Sequence, residues 1–292
     1  MGKDRGMKPA PFVWHGPADV GAAVALLGEH GSEAKVLAGG QSLVPLLAMR
    51  LTRPAHLVDI NRVAGLDTVT VDGSGVRIGA LARHRRVERD DEAFRVQPLL
   101  RQALHYVAHP TIRNRGTCVG SLAHADPAGE LTAVLALCEG SVDLRSVGGT
   151  RTVAAADFFL GPLTSVLAPD ELAVAAHIPA RPARCGTAFV EIARRHGDYA
   201  LCGVAAAAEL DDAGELRRLR CGYLSVADVP LVLDLTQAWR AGPDAAADQA
   251  HDAVDPVTDL HASAEYRRHL ARVLTRRACG QAIAAARERV AA

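Results

Sequence analysis

The chain has 292 residues, 49 % of them hydrophobic, and a formal net charge of zero from 33 basic and 33 acidic side chains. That is enough apolar material for two or three small cores, and no global field favours nucleic acid or an anionic membrane surface. The longest weakly polar run, residues 131–138, falls far short of the roughly 20 residues that span a bilayer.

In chain order, residues 1–7 carry charges but no apolar core, so they do not read as a signal peptide, and Met7 is a candidate start. A cytoplasmic location is expected. Residues 19–30 place Val20, Ala23, Val24 and Leu27 at helical spacing. A short strand over 35–38 runs into Gly39 and Gly40, a helix follows over 43–51 as far as Pro54, and a second strand covers 57–60. Two strands at 68–71 and 76–79 flank Asp72-Gly73-Ser74-Gly75, a hairpin turn. A helix is expected over 97–107, an ordered loop over 109–121, and a helix over 127–138 with Pro127 in its first turn. Strands at 142–145 and 150–153 flank Gly148-Gly149, and residues 179–184, with two prolines, read as a linker. Beyond it come strands over 188–193, 203–210 and 215–225. From Leu231 onward the alanine- and arginine-rich chain reads as helix, with Leu270, Val273 and Ile283 pointing inward. The order of elements is that of an α+β or mixed α/β protein.

Chemistry concentrates in four segments. In Ala38-Gly39-Gly40-Gln41-Ser42 a strand enters two glycines and a helix leaves. Glycine permits backbone angles closed to other residues and lets a ligand approach the main chain. Successive N–H groups then make a concavity for an anion such as a pyrophosphate, and Ser42 offers a hydroxyl or an N-cap. A tight structural turn also accounts for such a pair. The segment is neither a G-x-G-x-x-G fingerprint nor a Walker A loop. The second segment, residues 113–121, is also glycine-bearing and donor-rich. Arg113 and Arg115 either neutralise phosphate or bond to loop carbonyls. In the third, His124, Asp126 and Glu130 are possible ligands, but Asp126 is equally placed to cap the helix at Pro127, and no metal site is expected. The twelve histidines are scattered, without an H-E-x-x-H pair, and the six cysteines lie no closer than 17 residues apart, so a local zinc or iron–sulfur site is not expected and buried small side chains are. The fourth segment, 194–200, carries Tyr199, which either lies against a cofactor ring or packs between domains. No G-x-S-x-G elbow or paired-carboxylate signature is present, and no catalytic residue is named.

Taken together, AGGQSLVPL at 38–46, RPAHLVDIN at 53–61, IRNRGTCVGSLAHADPAGEL at 112–131 and ARRHGDYA at 193–200 resemble the FAD-binding medium subunit of the molybdenum hydroxylases, the carbon monoxide dehydrogenase and xanthine dehydrogenase type. Asp157-Phe158-Phe159 fits the same pattern. The resemblance runs in order from about Met7 to Pro230. It implies an α+β, two-subdomain FAD-binding fold of the vanillyl-alcohol-oxidase/PCMH type, over 1–62 and 63–180, with a C-terminal domain over 184–292 made of a small antiparallel sheet and helices. It implies that Ala38, Gly39, Gly40, Gln41 and Ser42 hold the pyrophosphate of FAD, and that Thr117, Gly120 and Ser121 form a second phosphate and ribityl loop. Asp126 and Glu130 fall near the cofactor's polar chain, and Tyr199 by the isoalloxazine ring. The implied partners are a molybdopterin-binding large subunit and a 2Fe–2S small subunit, in a dimer of heterotrimers, with electrons leaving through FAD to NAD⁺, a quinone or oxygen.

The chain departs from the pattern where a valine, Val119, replaces the first glycine of Thr-x-Gly-Gly-Ser. A β-branched residue is costly at a positive φ, so weakened FAD binding at a remodelled loop is an alternative expectation, giving a flavin-depleted structural subunit. A standalone flavoenzyme is a further alternative. Cys118 for an aliphatic residue and Ala82 for threonine before Arg83-His84 are smaller changes.

Overall fold

The computed structural model describes residues 8–291, so the candidate start at Met7 lies outside the described residues. Strand β1 (Val13–His15) leads to helix α1 (Val20–His30), which Asp19 caps by accepting from the Ala22 amide at 2.8 Å. Strand β2 (Ala34–Leu37), helix α2 (Leu43–Ala48) and strand β3 (His56–Asp59) complete a small parallel sheet in the order β1-β3-β2. Ala23, Val24 and Leu27, at helical spacing, form the buried stripe of α1.

The hairpin β4 (Val69–Asp72) and β5 (Gly75–Gly79) closes on Asp72, whose carboxylate accepts from the Ser74 amide and hydroxyl. Short helices follow: α3 (His84–Glu88), α4 (Asp91–Val96), α5 (Pro98–Leu104), α6 (Pro110–Arg113), α7 (Cys118–His124) and α8 (Glu130–Leu137). Strands β6 (Ser141–Ser146) and β7 (Gly149–Ala154), helix α9 (Ala155–Phe158), the small pair β8 (Phe159–Gly161) and β9 (Thr164–Ser165), and strand β10 (Leu172–Pro179) complete this part. Its five-stranded sheet is antiparallel with order β4-β5-β10-β6-β7, so the central strand is the last to be made. Pro179 ends β10 and thus belongs to the sheet, which leaves residues 180–184 to connect the parts.

Strands β11 (Cys185–Ala193), β12 (Ala200–Leu210), β13 (Leu216–Leu224) and β14 (Leu231–Asp234) form an antiparallel meander, followed by α10 (Thr236–Ala241), α11 (Pro243–Ala253) and α12 (Ala264–Ala291). Residues 231–234 are therefore strand, not helix. Leu231–Asp234 pairs with β13 from Arg220 to Tyr223, and partner hydrogen bonds outweigh the local helical composition. Both faces of this sheet are covered. Ala188, Val190, Cys202, Val204 and Ala206 pack with Leu270, Leu274 and Ala278 of α12, whereas Phe189, Ala205 and Leu224 join the core that holds α5 and α8. The small side chains of β12 let two helical layers approach one sheet. Of the three anchors expected in α12, Leu270 and Ile283 are buried, but Val273 is 38 % exposed on the opposite face of the helix. Five of the six cysteines are buried and Cys138 is half-buried, all as free thiols.

Helix α12 lies tight against the sheet at Gly186, where an added Cβ would lie 2.2 Å from both the Ala282 carbonyl oxygen and the Ala286 amide nitrogen. Both obstacles are backbone, so the helix itself must move. Gly186→Ala is expected to cost about 1–3 kcal/mol, read as a lowered denaturation midpoint at unchanged slope.

Candidate functional site

Between β2 and α2 the chain passes through Ala38–Ser42, turning at Gly40 with φ 74°, a left-handed angle that favours glycine. The carbonyls of Ala38, Gly39 and Gly40 are engaged within the protein. Ala38 accepts from Asn61 Nδ2 at 2.9 Å, Gly39 from Gln41 Nε2 at 3.0 Å, and Gly40 from the Val44 amide at 3.0 Å. The amides of Gly39, Gly40, Gln41 and Ser42 donate to no acceptor among the described residues. Ser42 stands at the N-cap of α2 but its hydroxyl makes no capping bond. Occupied carbonyls and free N–H groups make the loop a receptor for negative charge.

The second loop lies directly against the first. A Cβ on Gly39 would sit 2.6 Å from the Arg115 carbonyl oxygen and 2.8 Å from Gly116 Cα. A polar chain ties the two: Arg83 Nη2 donates to Asn61 Oδ1 at 2.7 Å and Arg83 Nη1 to the Arg115 carbonyl at 2.5 Å, while Asn61 holds Ala38. Partial burial, then the neighbouring charge of Arg115, lowers the Arg83 guanidinium from its ordinary value. Two cations thus stand beside the loop with the free amides.

Arg113 does not take part in this. It is 4 % exposed, donates to Glu88 at 3.1 Å and to the carbonyls of Val107 and Ala108 at 2.9 and 3.0 Å, and so organises the loop internally. The stretch expected as loop over 109–121 contains α6 and the start of α7. Thr117 is the N-cap of α7, its hydroxyl accepting from the Gly120 amide at 3.2 Å, and it is 3 % exposed. Gly120 lies in the first turn, and Ser121 Oγ contacts His84 Nε2 at 3.0 Å. Burial pushes His84 down to about 4, so the ring is neutral near neutrality.

Val119 is also helical, in the first turn of α7, and only 2 % exposed within the main core. It is not among the residues with positive φ. The strain expected at a remodelled loop is absent, because the backbone at Val119 is helical and its side chain is packed in the core.

Asp126 caps a turn: its Oδ1 accepts from the Ala128 amide at 2.9 Å, and α8 begins only at Glu130, three residues later than its composition suggests. The Pro127 carbonyl accepts from the Ser225 amide at 2.8 Å, which joins this turn to the end of β13. Glu130 and Glu191, from α8 and β11, form a carboxyl pair across the seam between the two parts of the chain. Desolvation raises both well above the ordinary range, and each carboxylate opposes ionisation of its neighbours: Asp126 acts on Glu130, and Glu130 on Glu191. Glu191 Oε2 is buried without a hydrogen-bond partner. Tyr199, just before β12, has 70 % of its surface exposed, yet local desolvation and then the charges of Asp126 and Glu130 raise its phenol.

Residues 10–181 match the family model described as the FAD binding domain in molybdopterin dehydrogenase, and residues 187–282 match that of the CO dehydrogenase flavoprotein C-terminal domain. The chain is 39 % identical over 289 residues to the 6-hydroxypseudooxynicotine dehydrogenase complex subunit alpha of Paenarthrobacter nicotinovorans, covering 96 % of this chain and 97 % of that one. It is 35 % identical to the carbon monoxide dehydrogenase medium chain of Hydrogenophaga pseudoflava, over 94 % and 98 % of the two chains. The chain belongs to the family of FAD-binding medium subunits of carbon monoxide and xanthine dehydrogenases. A solved structure of reconstituted CO dehydrogenase from Oligotropha carboxidovorans superposes on this medium subunit with a TM-score of 0.90, at 32 % identity, covering 95 % of this chain and 99 % of that one. The fold is thus the family's FAD-binding domain followed by its C-terminal domain, and the cofactor is FAD. The free amides at 39–42 and the cations beside them suit a pyrophosphate.

Asn61, Arg83, His84 and Glu191 were not singled out from the sequence. Asn61 and Arg83 do lie in or beside segments with family character, RPAHLVDIN and Ala82-Arg83-His84; Glu191 has no such signal.

Gly39→Ala must separate two backbones and is expected to weaken FAD binding at least about tenfold, about 1.4 kcal/mol, measured by flavin titration of the deflavinated protein. The carboxyl pair has its own pH signature. Glu130 and Glu191 hold protons more tightly folded than unfolded, so stability falls as pH rises from the ordinary carboxylate range through their raised values. Glu191→Gln is expected to raise the melting temperature at about pH 8, with the gain shrinking towards about pH 5.

Proposed function

We propose that this medium subunit relays electrons: they arrive from a partner chain carrying two 2Fe–2S clusters, pass through the FAD held here, and leave to an external acceptor. A molybdopterin-binding large subunit oxidises the substrate. The complex is a dimer of such heterotrimers in the cytoplasm. The relatives are named as a complex subunit and a medium chain, which supports a multi-subunit setting. Among the described residues no helix is long and apolar enough to cross a membrane.

The observation that carries the reading is the row of unengaged amides at Gly39, Gly40, Gln41 and Ser42 beside Arg83 and Arg115. FAD supplies a centre that takes up and releases one or two electrons. The protein's part is to hold and orient it. We assign the pyrophosphate to the Ala38–Ser42 loop, and the second phosphate and the ribityl chain to the rim at Gly120 and Ser121, with Thr117 fixing that rim as a cap. Asp126 and Glu130 stand towards the polar chain, and Tyr199, projecting from the start of β12, stands by the ring system. No residue is required as acid or base. The division into 1–62, 63–180 and 184–292 makes the first two units the dinucleotide clasp and the third the wall that brings Tyr199 and Glu191 to it.

The test is reconstitution. The purified chain mixed with FAD is expected to take up one flavin, seen as protein-bound visible absorbance, and to copurify with iron–sulfur and molybdenum-cofactor chains when all are produced together. A chain that stays colourless after FAD addition overturns the assignment, and a flavoprotein that oxidises a small substrate without partners overturns the relay. Val119→Gly is expected to leave FAD affinity unimproved while costing about 2–4 kcal/mol of stability, from lost burial and the glycine in a helix.

A further inference from the structure

Away from the two glycine loops, three histidines meet, one of them within the segment 53–61. His15 ends β1, His30 is the last residue of α1, and His56 opens β3. Strands β1 and β3 are parallel neighbours with Val13 opposite His56, which puts His15 and His56 on the same face two residues apart. Helix α1 stops at Gly31, whose φ of 51° turns the chain away and leaves the His30 ring over that face. His15 Nε2 lies 2.9 Å from His56 Nδ1. The His30 and His56 rings stack with centroids 3.6 Å apart and planes 6° from parallel, and His15 stands 5.2 Å from each. One nitrogen from each ring lies within 4.8 Å of the other two, and all three residues are half-buried.

We propose that His15, His30 and His56 form a divalent metal site of the zinc type. Tetrahedral ligands at a metal–nitrogen distance of about 2.0–2.1 Å stand roughly 3.3 Å from one another; the 2.9 Å between His15 Nε2 and His56 Nδ1 is near that spacing, and the His30 nitrogen, within 4.8 Å of both, joins them by a turn of its ring. The set is all imidazole, with no thiolate in it. That composition suits zinc, copper or nickel and disfavours magnesium or calcium, which prefer oxygen. Three protein ligands leave a fourth position for water or another small ligand on the solvent side. Because the ligands come from three separate elements, the ion clips the edge of the parallel sheet together. His56 lies three residues, about 10 Å of strand, from Asp59 at the end of β3 that faces the dinucleotide loop. The clip therefore secures the sheet from the end remote from FAD.

The probe is Zn²⁺ itself, titrated into untagged, chelator-treated full-length protein with a competing indicator dye and followed by thermal melting. One Zn²⁺ per chain and a raised melting temperature are expected. His30→Ala and, separately, His15→Gln are expected to weaken Zn²⁺ binding at least about tenfold, since even partners of ligands change affinity about 10–100-fold. Flavin content is expected to stay that of the parent, which shows that each variant is folded. Absence of stoichiometric Zn²⁺ binding, or binding that both variants retain unchanged, overturns the site.

Discussion

The contact between the two glycine loops is the constraint on which the site depends. Gly39 lies so close to Arg115 and Gly116 that no side chain fits between them. Asn61 and Arg83 bridge the same gap with hydrogen bonds to a carbonyl on each side. Each bond consumes an acceptor rather than a donor. The carbonyls of Ala38, Gly39 and Gly40 are thus engaged within the protein, and the amides of residues 39–42 donate to no acceptor among the described residues. Free backbone amides beside Arg83 and Arg115 suit a dianionic group. Arg113 acts one step further back, donating to Glu88 and to the carbonyls of Val107 and Ala108, which ties the start of the second loop to the segment before it.

The C-terminal sheet contributes in a different way. Its alanine-rich strand β12 is covered by helices on both faces, so the sheet is a rigid partition between two cores. One end of that partition delivers Tyr199 and Glu191 to the turn that bears Asp126 and Glu130. Glu191 has a buried oxygen without a hydrogen-bond partner beside a second carboxyl, an arrangement that favours one retained proton over two charges. The seam between the domains is thus electrostatically tuned by residues from both, and its stability depends on pH.

Much of this was legible beforehand, for identifiable reasons. Gly39 and Gly40 stood out because few residues other than glycine tolerate their environment, and the stripe of Ala23, Val24 and Leu27 because helical periodicity records a buried face. The departures have equally physical causes. Residues 231–234 read as helix by composition but pair as an edge strand with β13, since a ladder partner outweighs local propensity. Val119 read as a fault in a loop because motif comparison carries no φ; in the folded chain it is an ordinary core residue of α7.

The amino-acid sequence alone determined the family, the cofactor and the two loops, because close approach of backbone to backbone or to a ligand restricts residue type and leaves a readable motif. Tertiary structure alone decided which groups remain free to act. The Asn61–Arg83 bridge, the Glu130–Glu191 pair and the meeting of His15, His30 and His56 each join side chains distant in the chain. Their properties come from distance and desolvation, and neither is encoded in the spacing of residues along a strand or a helix.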